Sequence, residues 1–299
     1  AAAGANQPAY SIDNSMYIGD APDSTIMLER TCGTMEGTAA LTISSWYKKG
    51  PMRDGSKTIF SCILPHIHAY ASFYLEITND HPNEAAAFHW ASYTGANNVH
   101  EWNEYFGNTT KVRDWGSWYH IVLSISGTTT LIYLNGELYR TTTFHSNYYP
   151  QSNSQFQIGC NDSAQLGNGY FADTYWIDGQ ALAPTAFGEV HEDTGQWVPK
   201  KYSGSFAGCS AFLNYSDSSN FGTDSSGLGN NFTATSIPVR QQKLDSPSNN
   251  FCVMNPLDTH HATTTNSTFA EGNLKVSETG GNAKYTQVGN FGMSSGKWY

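Results

Sequence analysis

The chain has 299 residues, of which 13% are charged and 14% aromatic, and its net charge is −10. That balance excludes long exposed helices, which draw on Glu, Lys, Arg and Ala, and it excludes nucleic acid as a partner, because phosphate binding wants clustered Lys and Arg. No stretch approaches the ~18 consecutive apolar residues of a membrane-spanning helix, so membrane insertion is not expected.

Residues 1–9 are small and polar and read as an N-terminal arm or linker. From Thr25 to about Tyr215, short alternating runs recur between turn residues. Ala39, Leu41, Ile43 and Ser45 alternate with their neighbours up to Trp46 and Tyr47, Phe73, Leu75 and Ile77 do the same, and so do Tyr119, Ile121, Leu123 and Ile125. A period of two puts one face of each run into a core and marks a strand. Leu131 to Tyr139 carries Asn135-Gly136 at its centre, the pair that supplies the positive φ angles of a tight turn, and it is a β-hairpin. Further strands are expected through Phe156 and Ile158, from Tyr170 to Ile177, and from Ala211 to Tyr215, the last closing a sandwich. A short helical turn is expected over 184–190, with Pro184 near its start.

After Asp217 the texture changes. Residues 217–250 are rich in Ser, Asn, Gly and Asp, with almost no apolar period, and read as an ordered, irregular connector. Strand signals return over 269–276 and at Lys297 to Tyr299. The predicted organisation is therefore an arm (1–9), an antiparallel two-sheet sandwich (10–216), a connector (217–250) and the start of a second β module (251–299), with a longer polypeptide expected beyond the two terminal aromatics. Cys32, Cys62, Cys160, Cys209 and Cys252 are odd in number, widely spread and free of any C-x-x-C pair. Free thiols in a protein that folds in a reducing cytosol are expected, and neither a disulfide scaffold nor a zinc knuckle.

Two stretches carry a family resemblance. Trp115-Gly116-Ser117-Trp118-Tyr119-His120-Ile121-Val122-Leu123, followed by the 131–139 hairpin, resembles the W-x-H-V strand and Y-x-N/D-G hairpin of laminin-G-like, concanavalin A-like jelly rolls. Tyr170-Phe171-Ala172-Asp173-Thr174-Tyr175-Trp176-Ile177-Asp178-Gly179, with Ala181-Leu182-Ala183-Pro184 after it, resembles the final-strand segment of those sandwiches in tail-fibre-like proteins of marine bacteriophages. Ile12-Asp13-Asn14-Ser15, Phe212-Leu213-Asn214-Tyr215 and Asp245-Ser246-Pro247-Ser248 are similar to segments of the same phage proteins, and Ser295-Gly296-Lys297-Trp298-Tyr299 resembles the first strand of a SPRY-like sandwich. The resemblance implies an all-β, concanavalin A-like jelly roll in a virion appendage.

The carboxylate motif of the fold's glucanases is absent from the sequence. Glucanases of this fold use an E-x-D-x-x-E strand, and no Glu here is followed two residues later by Asp. Neither H-E-x-x-H nor a phosphate-cradling Gly-Lys loop occurs, and no catalytic residues are expected. His66, His68, His81, His89 and His100 fall close together, yet match no known ligand spacing and read as loop histidines rather than a metal centre. The resemblance implies calcium as the candidate cation, with Asp162, Asp173 and Asp178 as its candidate ligands, although six or more oxygens must converge to hold it. For binding, Trp90, Tyr93, Trp102 and Tyr105 crowd one segment among polar residues. Flat aromatic faces stack on the apolar faces of sugars while nearby polar groups satisfy the hydroxyls, and packing in a core or against a neighbouring chain is the competing role of the same residues. Trp46, Trp118 and Trp176 lie on expected strands and belong in a core.

The expected function is that of a structural and binding protein on the surface of a phage particle, made in the bacterial cytoplasm as a tail fibre, spike or head fibre. Its partners would be itself, as a homotrimer, other virion proteins and host-surface polysaccharide. The alternatives are a secreted carbohydrate-binding module or glycan-active enzyme, and a bacterial surface adhesin.

Overall fold

A computed structural model describes residues 10–19, 26–36, 39–50, 55–64, 69–77, 86–94, 99–105, 116–143, 152–160, 167–250, 254–260, 267–270, 275–278 and 286–289. The expected arm 1–9, His66, His68, His81, Asp162 and the 295–299 strand lie outside the described residues.

The strands of the first half are β1 (Ser15–Ile18), β2 (Met27–Thr31), β3 (Ala40–Lys49), β4 (Gly55–Leu64), β5 (Ala69–Ile77), β6 (Ala86–Thr94), β7 (Val99–Tyr105), β8 (Trp118–Ser126), β9 (Thr129–Leu134) and β10 (Glu137–Thr143). They are followed by β11 (Gln155–Ile158), β12 (Gly169–Asp178), β13 (Gly188–Val190), β14 (Trp197–Pro199), β15 (Ala211–Leu213), β16 (Thr233–Thr235) and β17 (Gln242–Lys243). Their order is that of an antiparallel sandwich. One eight-stranded sheet runs β10-β9-β8-β3-β12-β1-β17, with β15 also paired to β12, and a seven-stranded sheet runs β16-β2-β11-β4-β5-β6-β7.

The alternation in the sequence is what builds this. On β8, Ile121, Leu123 and Ile125 point into the main core, and so do Leu41, Ile43 and Tyr47 on β3. Phe60 from β4 and Phe156 and Ile158 from β11 meet them from the other sheet. Phe156 lies against Trp176 with ring centroids 4.0 Å apart, closing the layer between the sheets. Burying side chains of this size contributes roughly 2–3 kcal/mol each.

Residues 217–250 do more than connect. Phe221 and Phe232 are buried in the main core, β16 adds to β2 and β17 adds to β1. The segment wraps back and extends both sheets, which its polar composition conceals because only these few residues reach inward. The expected helical turn after Pro184 is a single 3₁₀ turn, Pro184–Ala186, and the chain then enters β13.

The cysteine expectation is corrected. Cys32 and Cys209 form a disulfide across a sequence separation of 177 residues, with Cα atoms 5.7 Å apart, while Cys62 and Cys160 are buried thiols outside any disulfide. The spacing misled because the partners come together only when the wrap returns to the end of β2. Beyond the sandwich are β18 (Met254–His260), β19 (Ser267–Ala270), β20 (Lys275–Glu278) and β21 (Thr286–Gly289). The strand expected over 269–276 is instead a pair, β19 antiparallel to β20.

Candidate functional site

The four aromatic candidates fall on two adjacent strands. Trp90 and Tyr93 are on β6, Trp102 and Tyr105 on β7. The Cα register places Ser92 opposite Trp102, Tyr93 opposite His100 and His89 opposite Tyr105, with an irregularity between Ser92 and Tyr93. β7 is the last strand of its sheet, so the backbone gathers all four positions at one sheet edge. Their side chains, and that of His100, lie outside the described residues.

The outer face of the eight-stranded sheet holds the other aromatic concentration. Tyr17, Tyr170, Lys48 and Trp118 occupy one transverse row over β1, β12, β3 and β8, each being the Cα partner of the next. Tyr17 and Tyr170 have ring centroids 4.7 Å apart, and Trp118 meets Tyr170 edge-on at 6.3 Å. This face is covered by the chain itself. Phe187 and Tyr202, together with Phe212, pack over Val122, Tyr175 and Ile177. Tyr10 and Trp197 pack against Trp46, Trp118 and Ala172 beside the buried Ile12. Trp46, Trp118 and Trp176 are therefore all buried as expected, the first two beneath this covering and Trp176 between the sheets.

His120 shows what such a covered polar group does. Its ring is stacked between Trp46 (4.8 Å) and Trp197 (5.9 Å). The Trp197 indole donates to His120 Nδ1 at 2.9 Å, and Ser44 Oγ lies 2.9 Å from Nε2. Burial pushes the imidazole pKa down to about 3, so the ring is neutral. An indole N–H only donates, which leaves the ring proton on Nε2, directed at Ser44. A base that activated Ser44 would need the lone pair there instead. The pair is a packing bond and is not a nucleophile with its base.

Asp173 and Asp178 sit five residues apart on β12, about 16 Å at ordinary strand rise. Asp173 is at a bulge where two residues of β12 oppose one of β3, with φ of 42°. Its Oδ2 accepts the Tyr10 hydroxyl at 2.6 Å, and burial raises its pKa to about 7. Thr174 beside it accepts the Tyr215 hydroxyl at 2.6 Å. Asp178 Oδ2 accepts the backbone N–H groups of Glu36 and Cys209, both at 2.9 Å, and so brackets the disulfide. The two carboxylates do not share a ligand set, and among the described residues no group of three or more His, Cys, Asp or Glu is placed to hold a metal ion. Asp162 is outside the described residues.

One cluster was not singled out in the sequence. Lys48 Nζ is 2.7 Å from Asp245 Oδ2 and 3.0 Å from Asn250 Oδ1, and the Trp118 indole donates to Asp245 Oδ1 at 3.0 Å. A Lys inside an alternating strand, with Trp118 predicted on a neighbour, was the available signal. Its partner lies 197 residues away, which no local pattern reaches.

These features define an antiparallel jelly roll with a clad outer face and an aromatic edge. Residues 20–184 match the family model described as the concanavalin A-like lectin/glucanases superfamily, and the chain belongs to that family. Among solved structures, the native heptameric SAP-like pentraxin from Limulus polyphemus is 19% identical, with a TM-score of 0.43 over 59% of this chain and 81% of that one. Domains LG4-5 of the mouse laminin alpha1 chain are 10% identical, with a TM-score of 0.38 over 60% of this chain and 45% of that one. No curated protein matches the chain.

Proposed function

We propose that the chain is a non-enzymatic structural and binding protein of a bacteriophage virion appendage, whose β6–β7 edge contacts host-surface glycans. The supporting observation is the register that draws Trp90, Tyr93, Trp102 and Tyr105 onto two neighbouring strands at the end of a sheet. Among the described residues, the aromatic-rich outer face of the eight-stranded sheet is occupied by the chain's own segments, which favours the β6–β7 edge as the sugar-binding position. Self-association into a trimer fits the same edge, because an unpaired edge strand must be covered or paired.

The Cys32–Cys209 disulfide favours a second reading, a secreted carbohydrate-binding module, since such bonds persist in oxidising surroundings. A finished particle outside the cell meets the same condition. Trp102→Ala is expected to abolish binding to host polysaccharide while leaving the melting temperature unchanged. Unaltered binding rejects the glycan edge, and loss of folding assigns Trp102 to a core. Gold-labelled antibody against the chain should decorate purified particles; label confined to the soluble culture fraction selects the secreted module.

A further inference from the structure

The chain enters and leaves the sandwich at the same place. β1 pairs antiparallel with β17, Ser15 opposite Lys243 and Met16 opposite Gln242. Antiparallel pairing puts the residues before Ser15 and those after Lys243 at one end of that short ladder. There the two strands of chain are cross-linked by side chains. The Ile12 N–H donates to Ser248 Oγ at 2.9 Å, the Ser246 hydroxyl donates to the Ile12 carbonyl, and the Ser15 hydroxyl donates to the Asp245 carbonyl at 2.6 Å. Ser246 and Asn249 close a turn through a bridge of their own.

Each arm is also pinned separately to the sheet beneath. On the incoming side, Tyr10 donates to Asp173 on β12. On the outgoing side, the Asp245 carboxylate takes Lys48 from β3 and Trp118 from β8, and Lys48 also reaches Asn250. Lys48 and Ser246 are buried, so these bonds form where water competes poorly and electrostatic attraction is less screened.

We propose that residues 10–15 and 243–250 form a tension-carrying joint, through which force along the polypeptide bypasses the two sheets and leaves the sandwich as a side-mounted lobe. Two antiparallel strands pulled from adjacent ends unzip one hydrogen bond at a time, and β1–β17 has two registered pairs. The ladder alone would peel. The side-chain cross-links lie ahead of it, so they take the force first. Asp245 is central because its carboxylate grips two strands of the sheet and its carbonyl grips the incoming arm.

The test uses the full chain with its disulfide intact, stretched from its two ends in optical tweezers, with hydrogen exchange read by mass spectrometry as the counterpart without force. In Asp245→Ala, an added early release of ~5 nm is expected, the length of the 14 freed residues at about 3.6 Å each, ahead of an unchanged sandwich event. Amides of 12–15 and 243–249 should exchange at least tenfold faster while those of β3, β8 and β12 keep their protection. Ser248→Ala, which removes only the acceptor of the Ile12 N–H, should raise exchange at 12–15 alone. Force curves and exchange identical to the parent overturn the joint. So does loss of protection spreading through β3, β8 and β12 in both variants, since the same residues would then be holding the whole fold.

Discussion

His120 on β8 and Asp173 on β12 lie on either side of β3 in one sheet, and both are buried with the neutral form favoured, but the consequences for stability run in opposite directions. His120 stays neutral in the folded protein down to about pH 3, whereas an ordinary imidazole takes a proton below 6.5. Between those values the unfolded chain binds a proton that the folded one refuses, so stability falls as the pH drops through the window, by about 1.4 kcal/mol per unit. Asp173 has its pKa raised from 3.8 to about 7, burial outweighing the charge-favouring hydrogen bond from Tyr10. Here the folded protein keeps a proton that the unfolded chain has lost, so stability falls as the pH rises from 3.8 to 7. Over pH 4.5–6.5 the two slopes offset each other. Asp173→Asn removes one of them and keeps the shape. Compared with the parent, that variant should lose about 2 kcal/mol more on going from pH 6.5 to 4.5, read from urea midpoints at each pH. The same pH dependence in both proteins would show that Asp173 does not hold its proton.

The hairpin between β9 and β10 shows what an element can announce on its own. Asn135 and Gly136 have φ of 48° and 85°, the pairing that a two-residue turn with right-handed strand twist demands. Asn135 also ties the turn to β8, its side-chain oxygen accepting the His120 N–H at 2.8 Å. A Cβ on Gly136 would stand 2.6 Å from the Trp197 ring. Gly136→Ala therefore meets a positive φ and the covering segment at once, and a loss of about 1–3 kcal/mol in thermal or urea unfolding is expected. A variant as stable as the parent would mean that the covering segment shifts freely. This turn was legible in the sequence because everything that specifies it lies within nine residues, and β8 and β12 were legible because their alternation is local. The bulge at Asp173 was not, since it answers to Ser45 on β3, and Thr174 beside it bonds that residue's hydroxyl at 2.8 Å. Nor was the β19–β20 pairing, because both strands fall within one short strand-like run of the sequence. At the β6–β7 edge, the sequence showed the crowding of Trp90, Tyr93, Trp102 and Tyr105 but not that they divide between two paired strands.

The molecule as a whole depends on the return of its C-terminal wrap. Residues 205–243 bring Cys209 to Cys32, send Arg30 Nη1 to the Cys209 carbonyl at 2.9 Å and Arg30 Nη2 to Asn230 at 2.7 Å, and place Phe221 and Phe232 in the core. Asp224 organises the turn between those two rings by accepting the N–H groups of Phe212, Ser226 and Asn230. Composition gave no hint of this, because hydrogen bonds do most of the ordering and the apolar anchors are few. The disulfide closes a loop of 177 residues, and a cross-link over so long a loop removes a large share of the unfolded chain's freedom, worth about 5 kcal/mol on the chain-entropy account. Both sulfurs are buried, so a reductant should act slowly on the folded protein and quickly once it opens. Cys32→Ser with Cys209→Ser, or unfolding in the presence of reductant, should lower the urea midpoint without changing the folded protein's far-ultraviolet circular dichroism. The first amides to lose protection should then be those of β16 and β17, whose attachment depends on the wrap, ahead of β3, β8 and β12. Equal midpoints with and without reductant would mean that the wrap is held by Arg30, Asp224 and the two phenylalanines, with the cross-link adding nothing to them.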